Sequence, residues 1–295
     1  MKCSYCNAEA VYHRRYSGEF LCIKHFLRGI EEKARKTIKN ILRPDIKLGL
    51  AVSGGKDSLS LAYIMKRVTE PYPDTSLVAL IVDEGISGYR DPSIKVAVEM
   101  LDNWGIEYRI GSLAKIYGFK LDEIINENNR NMSCTYCGVF RRRILDMMAR
   151  EEGVEYLLTG HNASDFAQTV LLNTIQGNLK HLVYELAPAR GVVPRVYPLK
   201  FILEQEVTLY AFLRKIQYHD EPCPFTRYSL RNDIRNFLSE LENKRPGITY
   251  NIVRLGDKLK KITGEKIILN PCKKCGFPTS REICKVCEIL QEFNL

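Results

Sequence analysis

Ten cysteines are the residues best equipped for chemistry in this chain, and their spacing sorts them into three groups. Cys3 and Cys6, then Cys22 and His25, form two pairs with two residues inside each, the knuckle spacing of a tetrahedral zinc held by three thiolates and one imidazole. Cys272, Cys275, Cys284 and Cys287 repeat the pattern with four thiolates, and Gly276 supplies the turn residue such a knuckle takes. Both sets are closed, which makes them structural staples with no coordination position left for a reactant. Cys134 and Cys137 leave Cys223 as the one cysteine still unassigned. Three soft ligands admit a zinc site completed by His219, redox-active or persulfide-carrying cysteines, or a [4Fe-4S] cluster with one iron left open; spacing alone keeps all three readings.

The second reactive constellation is Ser53-Gly54-Gly55-Lys56-Asp57-Ser58, which follows the apolar run Ile46 to Val52 and precedes an amphipathic stretch from about Asp57 to Thr69. A buried strand that breaks at a glycine pair and resumes as a helix turns backbone N–H groups and the positive end of the helix dipole toward one anion. Lys56 adds a point charge, while Ser53, Asp57 and Ser58 add hydroxyls and a carboxylate. The Walker spacing ahead of Gly-Lys-Ser/Thr is absent, which excludes the nucleotide loop of kinases and GTPases. Farther on, Gly160-His161-Asn162-Ala163-Ser164-Asp165 ends on a carboxylate that opens a helix, where it can cap, bind Mg2+ or move protons. His161 reads as a structural residue.

These groups need elements to position them. Apolar runs at Leu77 to Asp83, Glu107 to Ile110 and Tyr156 to Thr159 give further strands, alternating with helices over Pro92 to Trp104 and Phe166 to Ile175. The alternation predicts an α/β fold, a doubly wound parallel sheet with helices on both faces. Ligands collect beyond the carboxyl ends of such strands, so the cradle after Val52, Asp83-Glu84-Gly85 and the loop Gly160 to Asp165 should share one crevice, with Asp83 and Gly160 at the nucleotide. The chain of 295 residues is long enough for one such core with small appendages. No apolar run approaches the roughly 20 residues of a membrane span and no signal-peptide pattern opens the sequence, which predicts a cytoplasmic protein with reduced, metal-binding cysteines.

A formal charge of +9 and a pI near 9.0 suit a polyanionic partner. Lys36, Lys39 and Arg43 fall on the polar side of a helical stretch from about Phe26 to Leu42, and Arg141, Arg142 and Arg143 stand at the start of a helix beginning at Gly138. Arg227, Arg231 and Arg235 recur every fourth residue on a helix from about Tyr228 to Leu241, the pattern of a phosphate-backbone track; a merely solvated face is the plainer account.

The Ser53 to Ser58 loop, the Cys134 to Arg142 segment, the Gly160 to Asp165 loop, Pro-Leu-Lys at 198 to 200, Cys223 and the two terminal zinc sites together resemble the tRNA 2-thiouridine synthetases of the PP-loop superfamily. The resemblance implies an enzyme that uses ATP to adenylate the C2 oxygen of a tRNA uridine and then replaces that oxygen with sulfur. It implies ATP on Ser53, Gly54, Gly55, Lys56, Asp57 and Ser58, a [4Fe-4S] cluster on Cys134, Cys137 and Cys223, Asp165 as the catalytic carboxylate, Mg2+ with the nucleotide and two Zn2+. The corresponding division is an N-terminal zinc finger at 1–28, a PP-loop catalytic domain with a helical tRNA-contacting extension at 29–265 and a C-terminal zinc finger at 266–295. Cys-Thr-Tyr-Cys-Gly-Val-Phe-Arg-Arg resembles the wobble-uridine thiolases, whereas His25 resembles the branch acting on the T-loop uridine; the wobble branch is favoured. Ser164 replaces the first Asp of the common Gly-His-Asn-x-Asp-Asp, and Arg141 stands where the T-loop branch tends to carry a lysine.

Within this reading Tyr136, Phe140 and Phe225 are expected to form a hydrophobic wall that keeps water from the adenylate. The sulfur could come from free sulfide, a cysteine desulfurase or a ubiquitin-like carrier, and the assembly expected from the resemblance is a homodimer. A persulfide on Cys134 or Cys223 is the rival chemistry, and a zinc-stapled RNA-binding protein without turnover is the rival class.

Overall fold

The computed structural model describes residues 1–226, 230–264 and 266–295. A hairpin of β1 (Tyr12–Arg14) and β2 (Glu19–Leu21) leads through Cys22 into α1 (Ile23–Ile38). Phe26, Ile30, Ala34 and Ile38 recur every fourth residue and are fully buried, so α1 packs along its whole length. It ends at Ile38 rather than Leu42, and Arg43, expected on its polar face, pairs instead with Glu155.

The centre of the molecule runs β3 (Lys47–Val52), α2 (Lys56–Thr69), β4 (Ser76–Asp83), α3 (Arg90–Trp104), β5 (Glu107–Ser112), α4 (Ser133–Glu151), β6 (Tyr156–Thr159), α5 (Ala163–Ile175) and β7 (Arg195–Val196). The five strands form one parallel sheet in the order β5-β4-β3-β6-β7. The expected doubly wound sheet is therefore present, with β7 as an edge strand too short to read from sequence. The chain moves outward from β3 to β5, then returns to β6 on the other side of β3. That reversal puts the loops after β3 and β6 side by side at a topological switch point.

Strand parity divides the core. Leu48, Leu50 and Val52 of β3 and Ala79 and Ile81 of β4 pack on one face with α1, α2, α3 and α6 (Glu204–Leu213). Val78, Leu80 and Val82 of β4 pack on the other, against Tyr136, Phe140, Ile144 and Met148 of α4. Each such apolar side chain taken out of water contributes about 1.5–3 kcal/mol. Two further helices, α7 (Leu230–Lys244) and α8 (Ile248–Thr263), join α5 in a separate cluster of Ala167, Ile234, Leu238 and Val253. The C-terminal segment closes with a short pair, β8 (Asn270–Pro271) and β9 (Pro278–Thr279), and α9 (Lys285–Glu292), whose Val286 and Ile289 enter the α4 side of the core.

One fully buried carboxylate joins the N-terminal module to the rest. Glu206, on α6, accepts from Arg14 Nε at 2.9 Å and the Tyr16 hydroxyl at 2.9 Å, both next to β1, and pairs with Lys33 of α1 at 3.3 Å. The Tyr250 hydroxyl of α8 donates to it at 3.3 Å. Removing the carboxylate leaves Arg14 buried with only Glu19, at 3.2 Å, to balance it and takes the partner of the half-buried Lys33 as well, so Glu206→Ala should lower folding stability by about 3–5 kcal/mol, read as a fall in the denaturant midpoint with an unchanged slope.

Candidate active site and metal centres

The phosphate loop is shaped by two close approaches. Gly54 sits at φ +87°, and a Cβ there would come within 2.0 Å of the Ser93 carbonyl oxygen on α3. Gly160, at the end of β6, would bring a Cβ to 2.9 Å from the Asp57 carbonyl group. Only glycine allows both contacts. Ser58 stitches the loop from inside: its hydroxyl accepts from the Ser53 N–H at 3.1 Å and donates to the Gly55 carbonyl at 2.9 Å. Gly55 is the N-cap of α2 and makes no side-chain cap, so the first amides of that helix face the loop without a protein acceptor from a cap. Lys56 lies 3.0 Å from Asp57 and 3.8 Å from Glu204.

Asn162 and Asp165 form a reciprocal cap on α5, in which Asn162 accepts from the N–H groups of Ser164 and Asp165 and Asp165 accepts from the Asn162 N–H at 3.0 Å. The Asn162 amide also donates to Asp57 at 3.2 Å, tying the two loops together. Burial, with the Asp57 charge adding to it, raises the proton affinity of Asp165 above that of an ordinary aspartate. Burial and then Arg141 hold the His161 pKa down to about 4, so its imidazole is neutral at physiological pH and shares a 2.7 Å hydrogen bond with Thr159.

Of these groups Ser53, Asp57, Ser58, Gly160, His161 and Asp165 line a crevice of about 570 Å³ together with Arg141, Arg142 and Lys200. That volume suits a nucleotide-sized ligand. Glu84, not Asp83, is the carboxylate of β4 that lines it: Leu80, Val82 and Glu84 share one face by strand parity, and Asp83 Oδ1 accepts the Gly85 N–H at 2.9 Å. Glu84 and Arg90 are the site residues that the motifs did not mark, although the same parity rule read along Leu77 to Glu84 would have found the first.

Cys134 and Cys137 do not precede a helix starting at Gly138; they lie in the first turns of α4, which begins at Ser133. The helix period then separates two faces. Tyr136, Phe140 and Ile144 form a buried stripe, whereas Cys134, Cys137 and Arg141 share another at spacings of three and four, and Arg141 lines the crevice. The expected wall of Tyr136, Phe140 and Phe225 is therefore corrected. Phe140 is fully buried against Tyr117 and Phe119, Tyr136 donates to Glu292 at 2.8 Å, and Phe225 packs at the margin of the same core. Ala51, Val52, Leu80, Val82 and Leu145 supply the apolar lining instead.

Cys223 approaches from the loop ahead of α7 and acts electrostatically with Cys134, Glu84 and Arg141. Burial pushes the Cys137 thiol up to about 12, with Arg141 opposing and Glu84 adding to the rise. Among the described residues only the two terminal sets bring three or more ligand atoms within 4.8 Å of one another. His219 does not complete a zinc site with these cysteines; its ring stands edge-on to Tyr89, 5.3 Å between centroids. Three thiols around one space, too widely set for a single tetrahedral ion and without a fourth protein ligand, fit a multi-iron cluster with an open position.

The terminal sets have the dimensions of single ions. Cys6 and Cys22 sulfurs are 3.8 Å apart, and the His25 Nδ1 lies 3.4, 3.5 and 3.3 Å from the sulfurs of Cys3, Cys6 and Cys22. A tetrahedron with Zn–S of about 2.3 Å and Zn–N of about 2.0–2.1 Å has edges of about this length. Cys275 and Cys284 are 3.6 Å apart, and the N–H groups of Lys274 and Cys284 donate to Cys272. Backbone N–H groups around Cys272 lower its thiol to about 6, the form a metal binds.

The arginines divide. Arg143, expected as an RNA contact, is turned onto the C-terminal set, with Nη2 3.2 Å from the Cys284 sulfur, Nη1 3.6 Å from Cys275 and its guanidinium 3.5 Å above the Phe277 ring. Arg141 and Arg142 line the crevice. Arg231 donates to Thr169 at 3.3 Å, and Arg235 pairs with Glu204 at 3.4 Å, while Arg227 lies outside the described residues. Among the described residues no helix is long and apolar enough to cross a membrane.

Parallel sheet, phosphate loop and switch-point crevice define the PP-loop class of nucleotide-binding proteins, and residues 27–242 match the PP-loop domain family. Residues 2–27 match the N-terminal LIM domain of 2-thiouridine synthetase TtuA. A probable sulfurtransferase of Methanocaldococcus jannaschii is 39% identical over 298 residues, 98% of this chain and 87% of its own length. The tRNA 2-thiolation protein NcsA of Haloferax volcanii is 34% identical over 319 residues, covering 100% of this chain and 99% of that protein. The solved structure of the U34-tRNA thiolase NcsA from Methanococcus maripaludis, with its [4Fe-4S] cluster, superposes with a TM-score of 0.89 at 37% identity over 99% of this chain and 96% of that one. The chain belongs to the tRNA 2-thiolation family of PP-loop proteins.

If each terminal set holds one ion, zinc analysis should give two per chain, and Cys6→Ser and Cys275→Ser should each remove one. Structural zinc contributes an apparent 10–16 kcal/mol in zinc-finger peptides, so each variant should also lose order in its own module, read by hydrogen exchange.

Proposed function

We propose that this chain is an ATP-dependent tRNA uridine 2-sulfurtransferase acting on the wobble uridine. The observation that carries this reading is that Ser53, Asp57, Ser58 and Asp165 line one crevice whose wall residues Glu84 and Arg141 reach three otherwise unused cysteines, Glu84 lying 3.9 Å from the Cys137 sulfur and both acting on Cys223. Relatives described as tRNA 2-thiolation proteins and a structural neighbour described as a U34-tRNA thiolase support the substrate and the position. The division into 1–28, 29–265 and 266–295, two Zn2+, a cytoplasmic homodimer, and a sulfur supply by free sulfide, a desulfurase or a ubiquitin-like carrier belong to the same proposal.

The chain's own groups account for the steps. Arg142, Arg231 and Arg235, with Arg227, hold the tRNA backbone, and the target uridine leaves its stack to enter the crevice. The amides of Gly54 and Gly55, the α2 N-terminus and Lys56 bind the ATP phosphates, and Asp57 would hold the Mg2+ that accompanies them. The uridine O2 attacks the α-phosphorus, the bond to pyrophosphate breaks, and the N3 proton passes to Asp165, whose raised proton affinity suits it to accept. Cys134, Cys137 and Cys223 would hold a [4Fe-4S] cluster, which supplies an open iron where a small sulfur nucleophile can be kept. A C2–S bond forms as the C2–O bond to AMP breaks, and the proton returns to N3, so uridine, ATP and hydrosulfide give 2-thiouridine, AMP and pyrophosphate. The apolar lining excludes the water that would hydrolyse the adenylate.

Lys56→Ala and Cys223→Ala should each abolish thiolation of a wobble-uridine tRNA measured by mass spectrometry of its nucleosides. Only Cys223→Ala should also strip iron and acid-labile sulfide from anaerobically purified protein. Wild type that binds tRNA yet forms no 2-thiouridine, with both variants binding equally well, would return the chain to an RNA-binding role, and wild type without iron after reconstitution would favour persulfide chemistry.

The pH dependence follows from the direction of the Asp165 shift. Because its proton affinity is raised, the basic form is lost as pH falls through a value above the ordinary aspartate pKa of about 3.9. The acid limb of kcat/KM should sit above that value. Asp165→Asn should remove this limb and lower kcat by about 10²–10⁴.

A further inference from the structure

Arg90 and Glu84 are both less than 5% exposed and stand between the phosphate loop and the cysteines. Arg90 donates to the Ser53 carbonyl at 2.9 Å, to the Ser93 hydroxyl at 2.9 Å and to the Val82 carbonyl. Its Nε meets one oxygen of Glu84 at 2.7 Å, as an ion pair rather than an aligned hydrogen bond. The other Glu84 oxygen faces Arg141 at 3.7 Å and the Cys137 sulfur at 3.9 Å. A second arm leads to Cys223. The His219 N–H, four residues ahead of it, donates to the Gly54 carbonyl at 2.9 Å, while the His219 ring rests against Tyr89, the residue before Arg90.

The peptide plane explains what these grips do. The Ser53 carbonyl and the Gly54 N–H are two ends of one rigid unit, as are the Gly54 carbonyl and the Gly55 N–H. Arg90 and the His219 N–H therefore hold from behind the peptide planes of the Gly54 and Gly55 amides, the second of which rests on the Ser53 hydroxyl at a long 3.4 Å and is easily taken over by a phosphate. A phosphate that reorients either amide moves the carbonyl behind it, and with it the arm that ends at a cysteine. Both groups of the strut are buried, so this connection is little screened by solvent.

We infer that Glu84 and Arg90 are positioning residues that couple nucleotide in the phosphate loop to the thiolate site, so that occupancy of each changes the affinity of the other. The inference rests on the proposed ATP and cluster sites and adds to them a role for a residue pair that none of the proposed steps uses. Coupling of this kind is reciprocal, and between connected sites it amounts to about 5–150-fold in affinity.

The test compares binding of a nonhydrolysable α,β-methylene ATP analogue with Mg2+ to the full chain, loaded with iron or freed of it by anaerobic chelation with zinc retained. Calorimetry should give wild-type affinities that differ at least about fivefold between the two states. In Glu84→Gln, with iron still bound, the ratio should collapse to within about twofold. A purely structural role would shift both affinities together and keep the ratio. Glu84→Gln with Arg90→Gln, which removes both charges and strands neither, gives the same reading should the single variant fail to fold. A wild-type ratio near one, or a ratio unchanged in these variants while iron is present, overturns the coupling alone. Wild type that takes up no iron retires the cluster reading and the coupling with it, and the metal count on the same samples tells the cases apart.

Discussion

The whole site depends on the contact between Gly54 and the start of α3. With φ at +87° and no room for a Cβ against Ser93, the phosphate loop excludes every residue but glycine here, and its amides lie close to their working arrangement before any ligand arrives, with only the peptide planes left to adjust on binding. Donors that need no rearrangement at the moment of reaction are the main source of electrostatic catalysis. Gly160 repeats the device from the other side of the switch point, pressing the β6–α5 loop onto Asp57, and Asn162 bridges the seam. The cost is that neither glycine position tolerates a side chain. The gain is that Asp57, Asp165 and the loop amides keep one mutual geometry.

Two buried carboxylates give the fold its internal wiring, and both work by serving several partners at once. Burying a lone charge is strongly unfavourable, and a simple pair rarely recovers the desolvation, but Glu206 collects Arg14, Lys33, two tyrosine hydroxyls and a backbone N–H. It thereby joins the N-terminal module, α1, α6 and α8 at one point. Glu84 does the same on a smaller scale between Arg90 and Arg141. The two cysteine-rich terminal modules are too short to build cores of their own, so ion-pair junctions and a few apolar side chains dock them.

At the C-terminal end the junction is the thiolates themselves. Arg143 leaves α4 to lie on Phe277 and donate toward Cys275 and Cys284, and Tyr136 reaches Glu292 on α9. Groups that donate to metal-bound sulfur fix its orientation and moderate its charge. Helix α4 thus carries Cys134 and Cys137 on one stripe and contacts to the C-terminal cysteine set on another. The position of these two thiols is in this way tied to the integrity of the terminal set.

The sequence by itself determined what depends on local spacing. Two knuckle pairs in succession mark a closed four-ligand metal set, buried apolar runs alternating with helices dictate a parallel sheet, and Ser-Gly-Gly-Lys-Asp-Ser dictates an anion cradle; the strand Tyr156 to Thr159 was readable to the residue. The tertiary structure alone decided which face of each element met which neighbour. Gly138 suggested a boundary, yet packing carried α4 through it and turned Tyr136 toward Glu292 and Phe140 toward Tyr117 and Phe119, away from the crevice. Asp83 and Glu84 are adjacent acids in the sequence; strand parity and the position of Arg90 sent one to a turn and the other to the site. A buried charge is assigned by the partner that reaches it across the fold, and no spacing along the chain records that partner.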